Sequence, residues 1–227
     1  LREQAGQDEE FTVSKCRQAD FEVLSSRADV NRIADEEKIS VETAARKARF
    51  LKLGEMARSK GCNVIVTAHH MDDNAETVIG RMSRGTGFRG LGGIWPRREF
   101  ADGIVYARVL LCVKRGEIER YLSDKGLDWR VDHTNRLCIY RRNFIRHKLI
   151  AELEKEYGGD LSQDIFRLSS ACRQFYTHVK KASEIITDKF MTASRDKIKL
   201  SAEAFEGKTF EVQVELLRNC LKRVGCG

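Results

Sequence analysis

The sequence predicts an α/β domain built on a parallel sheet, followed by a smaller and mainly helical domain. Two observations carry this prediction. A short β-branched run at residues 63–67 lies between two helical patterns, as is typical of buried parallel strands. From residue 140 onward the strand patterns nearly disappear. We therefore expect the first domain at residues 1–147 and the second at residues 148–227.

The first predicted elements lead up to this strand. Residues 5–20 have a helical pattern, and residues 21–24 alternate like the start of a strand. Ser40 is a good N-cap for a helix whose apolar positions continue to Met56. Gly61 follows this helix and suits its C-terminal end, because glycine tolerates a left-handed backbone.

The later elements follow from the same patterns. Residues 74–84 predict a helix directly after the strand, and residues 104–111 predict a second strand. Residues 114–125 have the pattern of an amphipathic helix. The C-terminal part contains apolar residues at helical spacing, a short strand candidate at 197–200 and a last helix at 210–224.

The composition is that of a folded protein in a reducing compartment. Of the 227 residues, 41% are hydrophobic and 33% are charged, which supports a packed core. No apolar run approaches the ~18 residues that a membrane-spanning helix needs. The seven cysteines are odd in number and include no C-x-x-C pair, so a disulfide framework is not expected. We expect a cytoplasmic protein without a membrane partner.

The positive charge is concentrated in the middle third of the chain. Residues 1–80 carry a net charge of −3, residues 81–148 carry +9 and residues 149–227 carry +1. In the middle segment Arg outnumbers Lys by 13 to 3, and Arg is the better ligand for phosphate and for stacked bases. A solvated basic face is one interpretation, and binding of a polyanion such as nucleic acid is the other.

Ionisable side chains are dense directly after the first predicted strand. His69, His70, Asp72 and Asp73 lie within five residues, where α/β proteins bind their ligands. A purely structural interpretation makes an aspartate the N-cap of the next helix. A metal site is a second interpretation, but adjacent His side chains on an extended turn point in opposite directions. Mg²⁺ held by one or two carboxylates and nucleotide phosphates fits these residues better.

A glycine-rich segment at residues 85–90 matches the dinucleotide-binding pattern G-x-G-x-x-G. That pattern works where it follows a strand and opens a helix, whereas this segment follows a helix. We therefore reject a dinucleotide site. We expect instead a flexible loop, flanked by Arg84 and Arg89, that contacts phosphate.

Further basic residues lie on a predicted helix and beside aromatic residues. Arg46 and Arg49 are three positions apart and so share a helix surface, which is usually just a solvated face. The runs at 129–135 and 140–147 combine basic with aromatic residues, and contacts to phosphates and stacked bases use that combination. A basic helix solvated on one side is the alternative.

Five motifs follow one another along the chain, namely Ser40-Val-Glu-Thr-Ala-Ala-Arg-Lys-Ala-Arg-Phe50, His69-His-Met-Asp-Asp-Asn-Ala-Glu-Thr77, Arg84-Gly-Thr-Gly-Phe-Arg-Gly-Leu-Gly-Gly93, Arg108-Val-Leu-Leu111 and Tyr140-Arg-Arg-Asn-Phe-Ile-Arg-His147. Taken in order, they resemble the tRNA(Ile)-lysidine synthetase family over roughly residues 1–150. One of them alone is unspecific, but five in the family's order are specific. Residues 151–227 resemble the family's helical substrate-recognition region only loosely.

The resemblance implies an adenine nucleotide α-hydrolase-like fold of the N-type PP-ATPase class. It also implies an enzyme that uses ATP and Mg²⁺ to adenylate the wobble cytidine of tRNA(Ile). L-lysine then displaces AMP and gives lysidine. Adenylation is needed because it turns an otherwise unreactive oxygen into a leaving group.

The resemblance also assigns roles by motif position. Asp73 is the expected catalytic carboxylate, and Arg49 is its cationic partner near the phosphates. The expected nucleotide-binding residues are His69, His70, Asp72 and Arg46, and no metal-ligand set is expected in the protein itself. The residues expected to bind tRNA are Arg84, Arg89, Arg141, Arg142 and Arg146.

One departure from the family bears on activity. The family's Ser-Gly-Gly-x-Asp-Ser pyrophosphate loop is not found, since the Gly-Gly pairs at 92–93 and 158–159 lack those neighbours. We therefore expect a chain that begins after this loop and is inactive alone. Two other functions stay open: a catalytically inert RNA-binding fragment, and a metal-dependent phosphohydrolase that uses His69, His70, Asp72 and Asp73. The sequence leaves a homodimer open.

Overall fold

Helices and short strands make up the computed structural model, which describes residues 5–100, 103–130, 141–194 and 197–225. In chain order the helices are α1 (Ala5–Gln18), α2 (Val30–Glu37), α3 (Val41–Ser59), α4 (Met71–Met82), α5 (Phe88–Leu91), α6 (Arg115–Asp124), α7 (Arg141–Phe144), α8 (Ala151–Tyr157), α9 (Leu161–Phe190) and α10 (Phe210–Arg223). A π-helical segment, Ile145–Ile150, connects α7 to α8, and Ala202–Phe205 is a 3-10 turn. The strands are β1 (Val64–Val66), β2 (Arg97–Glu99), β3 (Val105–Ala107), β4 (Met191–Ala193) and β5 (Ile198–Leu200).

These elements form two compact units. The first consists of Leu1–His70 and Pro96–Asn135, and the second of Met71–Trp95 and Arg136–Gly227. Residues 141–157 are helical without interruption. The domain boundary that we expect between residues 147 and 148 stays a prediction.

The first unit contains the three-stranded sheet, in the order β1-β3-β2. β1 and β3 are parallel, with Val64 opposite Val105, and β2 is antiparallel to β3, with Arg98 opposite Tyr106. The two strands expected at 63–67 and 104–111 are thus neighbours in a parallel pair. This pair places the residues that follow β1 and β3 at the same edge of the sheet.

Two predicted strands differ from the structure. Residues 21–24 are irregular, and Phe21 and Leu24 are 68% and 46% exposed. A strand forms only beside a partner that accepts its backbone hydrogen bonds, and no described strand pairs with this segment. The second strand ends at Ala107, four residues early, because the chain turns where the Val113 N–H donates to the Leu110 carbonyl at 3.0 Å.

The ends of α3 confirm the signals read from the sequence. The Ser40 hydroxyl oxygen accepts the Thr43 N–H at 3.2 Å, which satisfies one of the backbone donors that a helix start leaves open. Gly61 lies just after the helix with φ of +65°, a left-handed conformation that glycine adopts at little cost. α3 therefore begins after Ser40 and ends before Gly61, as the sequence predicts.

The core of the first unit lies between α3 and the sheet. Ala57, Ile104 and Tyr106 are buried, and Phe50 and Phe100 pack against them. The ring of Tyr106 lies 4.9 Å from that of Phe50 and 4.7 Å from that of Phe100, centroid to centroid. We call these three rings the aromatic cluster. It fixes α3 on one face of the sheet.

The core of the second unit lies between α4, the helical residues 145–150 and α9. Ala75, Val78, Ile145, Ile150 and Ile165 are its buried members. The 30-residue helix α9 also packs against α5 and α10. α4, which begins with the candidate aspartates, is thus held by apolar contacts along its length.

Candidate active site

The first part of the candidate site is the turn after β1, in the first unit. The Thr67 N–H donates to the Ala107 carbonyl at 2.9 Å, which extends the parallel ladder by one residue. The Thr67 hydroxyl and His69 Nδ1 share a hydrogen bond of 2.9 Å. His69 and His70 are both half-buried. The turn therefore orients the His69 ring at the edge of the sheet where the sequence predicts a ligand.

The second part is the start of α4, in the second unit. Asp72 and Asp73 lie in the first turn of this helix, which begins at Met71. Neither aspartate is therefore the N-cap of this helix, and that part of the purely structural interpretation is wrong. Both carboxylates lie at the positive end of the helix dipole. The Ser162 hydroxyl donates a long hydrogen bond of 3.4 Å to Asp72.

Asp73 and Glu76 bind two arginines in an arrangement that we call the carboxylate–arginine cluster. Arg142 Nη2 lies 2.5 Å from Asp73 Oδ1, and Arg142 Nε donates to one oxygen of Glu76. Arg146 Nε donates to the other oxygen of Glu76, and Arg146 Nη2 lies 3.6 Å from Asp73 Oδ1. The side chain of Glu76 is only 1% exposed. Two guanidinium groups thus neutralise two adjacent carboxylates.

Helical spacing explains how these four side chains meet. Asp73 and Glu76 are three positions apart on α4, and Arg142 and Arg146 are four positions apart, so each pair shares one face of its helix. A charge as buried as that of Glu76 is stable only with a partner. Sequence reasoning missed Glu76, although its spacing from Asp73 was the signal that could have found it.

The glycine-rich segment is tied to the helices of the second unit. Arg81 donates to the carbonyls of Gly90 and Gly93 at 3.0 and 2.8 Å. Arg173 donates to the Gly92 carbonyl at 2.8 Å. Gly93 has φ of +62°, and a Cβ there would lie 2.2 Å from Asn74 Oδ1, so only glycine fits. Here the glycines allow the loop to pack closely against α4 and α9.

The arginines expected to bind tRNA have different surroundings. Arg84 and Arg89 are exposed, at the two sides of the glycine-rich turn. In the carboxylate–arginine cluster, the side chain of Arg142 is 53% exposed and that of Arg146 is 20% exposed. The side chain of Arg141 lies outside the described part of the chain. The role of these residues in tRNA binding stays a prediction.

Arg46 and Arg49 lie on α3 in the first unit, and both are exposed. The Arg46 guanidinium lies 5.1 Å from the centre of the Phe50 ring, a cation–π contact. Arg49 belongs to the first unit and Asp73 to the second. The expected partnership of Arg49 with Asp73 stays a prediction.

Within the described residues, no group of three or more His, Cys, Asp or Glu side chains is placed to hold a metal ion. No helix in the described ranges is long and apolar enough to cross a membrane. The described cysteines, which are Cys16, Cys62, Cys112, Cys172 and Cys220, are free thiols.

Comparison with known families connects this geometry to an established fold. Residues 1–153 match the PP-loop domain. The chain belongs to the PP-loop family. Its first part accordingly has the α/β fold of the N-type ATP pyrophosphatases, with β1 and β3 as a parallel pair. The fold class predicted for this part of the sequence is confirmed.

Individual relatives carry the name of the family that the five motifs resemble. A tRNA(Ile)-lysidine synthase of Clostridium perfringens is 34% identical over 206 residues, which are 91% of this chain and 43% of the relative. The protein of that name from Clostridium acetobutylicum is 35% identical, over 91% of this chain and 44% of the relative. The one from Petrotoga mobilis is 33% identical, over 93% of this chain and 66% of the relative. The chain thus spans less than half the length of the two Clostridium proteins, and the predicted resemblance is confirmed.

Proposed function

We propose that this chain supplies nucleotide- and tRNA-binding residues to an ATP-dependent enzyme that joins lysine to the wobble cytidine of tRNA(Ile). The observation that carries the proposal is the extent of the sequence similarity to the Clostridium perfringens relative. The similar region covers 91% of the chain and so includes residues of both compact units. The candidate site supports it, because α4 and the Tyr140–His147 motif, two of the five matching segments, meet in the carboxylate–arginine cluster.

The proposed chemistry replaces a C–O bond by a C–N bond in two steps. An oxygen of the cytidine base attacks the α-phosphorus of ATP, and pyrophosphate leaves with the electron pair of the broken P–O bond. An amino group of lysine then attacks the activated carbon, loses a proton, and AMP leaves with the oxygen. Such steps depend on the positioning of the reactants, which is what fixed side chains of a folded site supply.

Within this proposal Asp73 is the catalytic carboxylate. Its position in the first turn of α4, beside two arginines, fixes the direction of its carboxylate. Arg49 and Arg46 are assigned to the nucleotide phosphates, and His69, His70 and Asp72 to the nucleotide pocket. Mg²⁺ is part of the proposal because Asp72 and Asp73 offer the carboxylate oxygens that this ion prefers together with phosphates.

The tRNA is assigned to the basic middle segment and to the helices that follow. Arg84 and Arg89 are exposed and flank a turn, so their guanidinium groups can reach a phosphate backbone. Arg141, Arg142 and Arg146 are assigned to the same substrate. Residues 148–227 are proposed to form the mainly helical domain that recognises the tRNA.

A chimera tests the proposal directly. This chain replaces the matching residues of the Clostridium perfringens relative, and lysine-dependent AMP release is measured with tRNA(Ile) and ATP. We expect activity in the chimera and at least a hundredfold loss with Asp73→Asn, since an amide cannot supply the carboxylate charge. A matched control is Asp124→Asn, which changes an exposed aspartate at the end of α6.

The outcomes separate the alternatives. A folded chimera that binds tRNA(Ile) but releases no AMP favours the inert RNA-binding fragment. Hydrolysis of ATP that depends on added metal but not on lysine favours the phosphohydrolase. An Asp73→Asn chimera with full activity contradicts the site assignment.

A further inference from the structure

Two phenylalanine rings of the second unit meet at its surface. Phe88 begins α5 and Phe175 lies on α9, and their ring centroids are 4.7 Å apart with an angle of 55° between the planes. Both residues remain open to solvent, with 42% and 44% of their surface exposed. We call these two residues the aromatic pair. Two rings at this angle form the walls of a shallow notch, so a flat group can stack on one ring while its edge contacts the other.

The attachment of α5 to the second unit uses other contacts. Leu91 packs against the apolar core of the unit. A Cβ on Gly92 would lie 3.1 Å from the Arg173 side chain, so the backbone itself approaches α9 closely. Arg173 and Arg81 also bind carbonyl groups of the glycine-rich segment. The exposed faces of the aromatic pair are therefore available to a ligand.

The aromatic pair is held in a fixed position relative to the candidate aspartates. Asn74 follows Asp73 on α4 and is fully buried. Its side-chain oxygen accepts the Ile94 N–H at 2.8 Å, and its amide group donates to the Ser169 hydroxyl at 3.1 Å. One side chain thus ties the glycine-rich segment and α9 to the start of α4. A surface that is already in place binds at a smaller cost in conformational entropy than a flexible loop does.

Positive charge accompanies the aromatic pair, and both segments that carry the pair lack carboxylates. Residues 77–95 contain three arginines and neither Asp nor Glu, and residues 165–183 contain four Lys or Arg residues and neither Asp nor Glu. Arg89 follows Phe88 directly and Arg84 lies on the other side of the glycine-rich turn, both exposed. An apolar partner has no use for the arginines and a phosphate group alone has no use for the rings, whereas an unpaired nucleotide uses both.

We propose that the aromatic pair is a stacking surface for an unpaired base of RNA, with Arg84 and Arg89 bound to the phosphates beside that base. Every base has a flat π face, so stacking needs no particular sequence, and arginine binds the adjacent backbone. The proposal deepens the proposed function and rests on it for the natural source of the base, which is tRNA(Ile). The stacking itself can be measured with RNA that is not a tRNA.

The first experiment titrates a labelled, single-stranded oligoadenylate with the 227-residue chain and follows fluorescence anisotropy. The double variant with Phe88→Leu and Phe175→Leu keeps apolar side chains but loses both rings. We expect it to bind about tenfold more weakly or worse, because stacking of one base on an aromatic ring contributes that much. Phe210→Leu is the matched control, since it changes a 75% exposed Phe of the same unit, and it should alter the affinity by less than about twofold.

Two further ligands separate the bases from the backbone. Inorganic polyphosphate carries negative charge without bases, and oligoadenylate paired with its complementary strand keeps its bases inside a duplex. We expect the double Leu variant to lose affinity for the single strand only and to bind polyphosphate and duplex as the unchanged chain does. Arg84→Ala with Arg89→Ala should instead weaken the binding of polyphosphate as well as of the single strand, because these contacts are to phosphates.

A tryptophan reporter keeps the proposal testable if the double Leu variant does not fold. Phe88→Trp retains a flat ring and adds a third tryptophan to Trp95 and Trp129. A stacked base quenches indole fluorescence, so the emission that this variant gains should fall when oligoadenylate is added. Its affinity should equal or exceed that of the unchanged chain. Polyphosphate should leave the gained emission unchanged.

The proposal is overturned if oligoadenylate does not bind, if it leaves the Phe88→Trp emission unchanged, or if the folded double Leu variant binds it as well as Phe210→Leu does. An equal loss of polyphosphate and duplex binding in the double variant also overturns it. So does normal RNA binding with altered self-association in ultracentrifugation, which would assign the surface to a second copy of the chain. Base stacking by a chain whose chimera ligates no lysine would refute the proposed function and leave this surface standing.

Discussion

The two compact units use arginine in opposite ways. In the second unit, Arg142 and Arg146 are neutralised by Asp73 and Glu76, two carboxylates on α4. In the first unit, Arg46 and Arg98 lie against the rings of Phe50 and Phe100, and burial together with their positive charges lowers the pKa of Arg108. We call this second group the arginine cluster.

The difference separates arginines that carboxylates neutralise from arginines that lie against aromatic rings. A guanidinium group bound to a buried carboxylate has already recovered the free energy lost on leaving water. A guanidinium group on an aromatic ring is held by the ring and keeps its net charge. The same residue type therefore forms an ion-pair network in one unit and leaves positive charge on the surface of the other.

The largest expected effect is on the stability of the carboxylate–arginine cluster. Glu76→Gln should lower the free energy of unfolding by about 3 kcal/mol, because a neutral amide cannot compensate two arginines at a buried site. Urea denaturation followed by circular dichroism measures this. The control is Glu99→Gln, which breaks the exposed pair with Arg97 and should cost less than about 1 kcal/mol. Equal losses in the two variants would contradict a special role of burial.

The second prediction concerns how tRNA binding depends on salt. Five arginines that each neutralise one phosphate would lower log affinity by ~3.5 to 4.5 units per tenfold rise in salt, and we expect a smaller slope because Arg142 and Arg146 are already paired with carboxylates. Arg84→Ala with Arg89→Ala should flatten the slope by about 1.4 to 1.8 units, since both side chains are exposed. Arg142→Ala should flatten it less, because Asp73 and Glu76 already neutralise that charge.

Filter binding at several salt concentrations gives these slopes. Arg167→Ala, an exposed arginine paired with Asp164 on α9, provides a control in the second unit. An unchanged slope in the Arg84 and Arg89 double variant would remove the glycine-rich turn from the tRNA interface. A larger effect of Arg142→Ala would mean that its ion pairs open on binding.

The third prediction concerns the pKa of Tyr176, which depends in part on the buried carboxylate of Glu215. Glu215 also pairs with Arg218 at 3.0 Å. Burial and the neighbouring Glu215 charge raise the pKa of Tyr176 from 10.0 to about 12. The folded state then keeps its proton where the unfolded state loses it. The associated stability is present below pH 10 and is lost as the pH rises from 10 to about 12.

Unfolding of Tyr176→Phe should show less of this alkaline loss, as measured by urea denaturation at pH 9 to 11. Tyr157→Phe, which changes an 81% exposed tyrosine, is the control. The same pH dependence in the unchanged chain and in both variants would show that the pKa of Tyr176 is not raised in the folded state.

The smallest expected effect is on the free energy of unfolding when one charge of the arginine cluster is removed. Arg98→Gln should change the free energy of unfolding by less than about 0.5 kcal/mol, and in the stabilising direction, because it removes a repulsive charge. Urea denaturation in low-salt buffer free of phosphate measures this. A loss as large as that of Glu76→Gln would show that Arg98 has a structural role and would remove the contrast between the two units.

The sequence by itself determined the local elements and their ends. Ser40, Gly61 and the β-branched run at 63–67 act through neighbours only a few positions away, so α3 and β1 could be predicted from them. The candidate aspartates were found because ligands gather after parallel strands. Residues 21–24 failed as a strand because their pattern is local, whereas a strand needs a partner elsewhere in the chain.

Only the tertiary structure decided which charges meet. Glu76 and Arg142 are 66 positions apart, and their pairing depends on how α4 packs against the helix that begins at Arg141. Arg98 and Tyr106 come to lie opposite each other only because β2 and β3 pair in this register. Local patterns depend on backbone preference and side-chain period, which a sequence displays. Which charged groups surround a buried side chain depends on segments that are far apart in the sequence. Only packing brings those segments together.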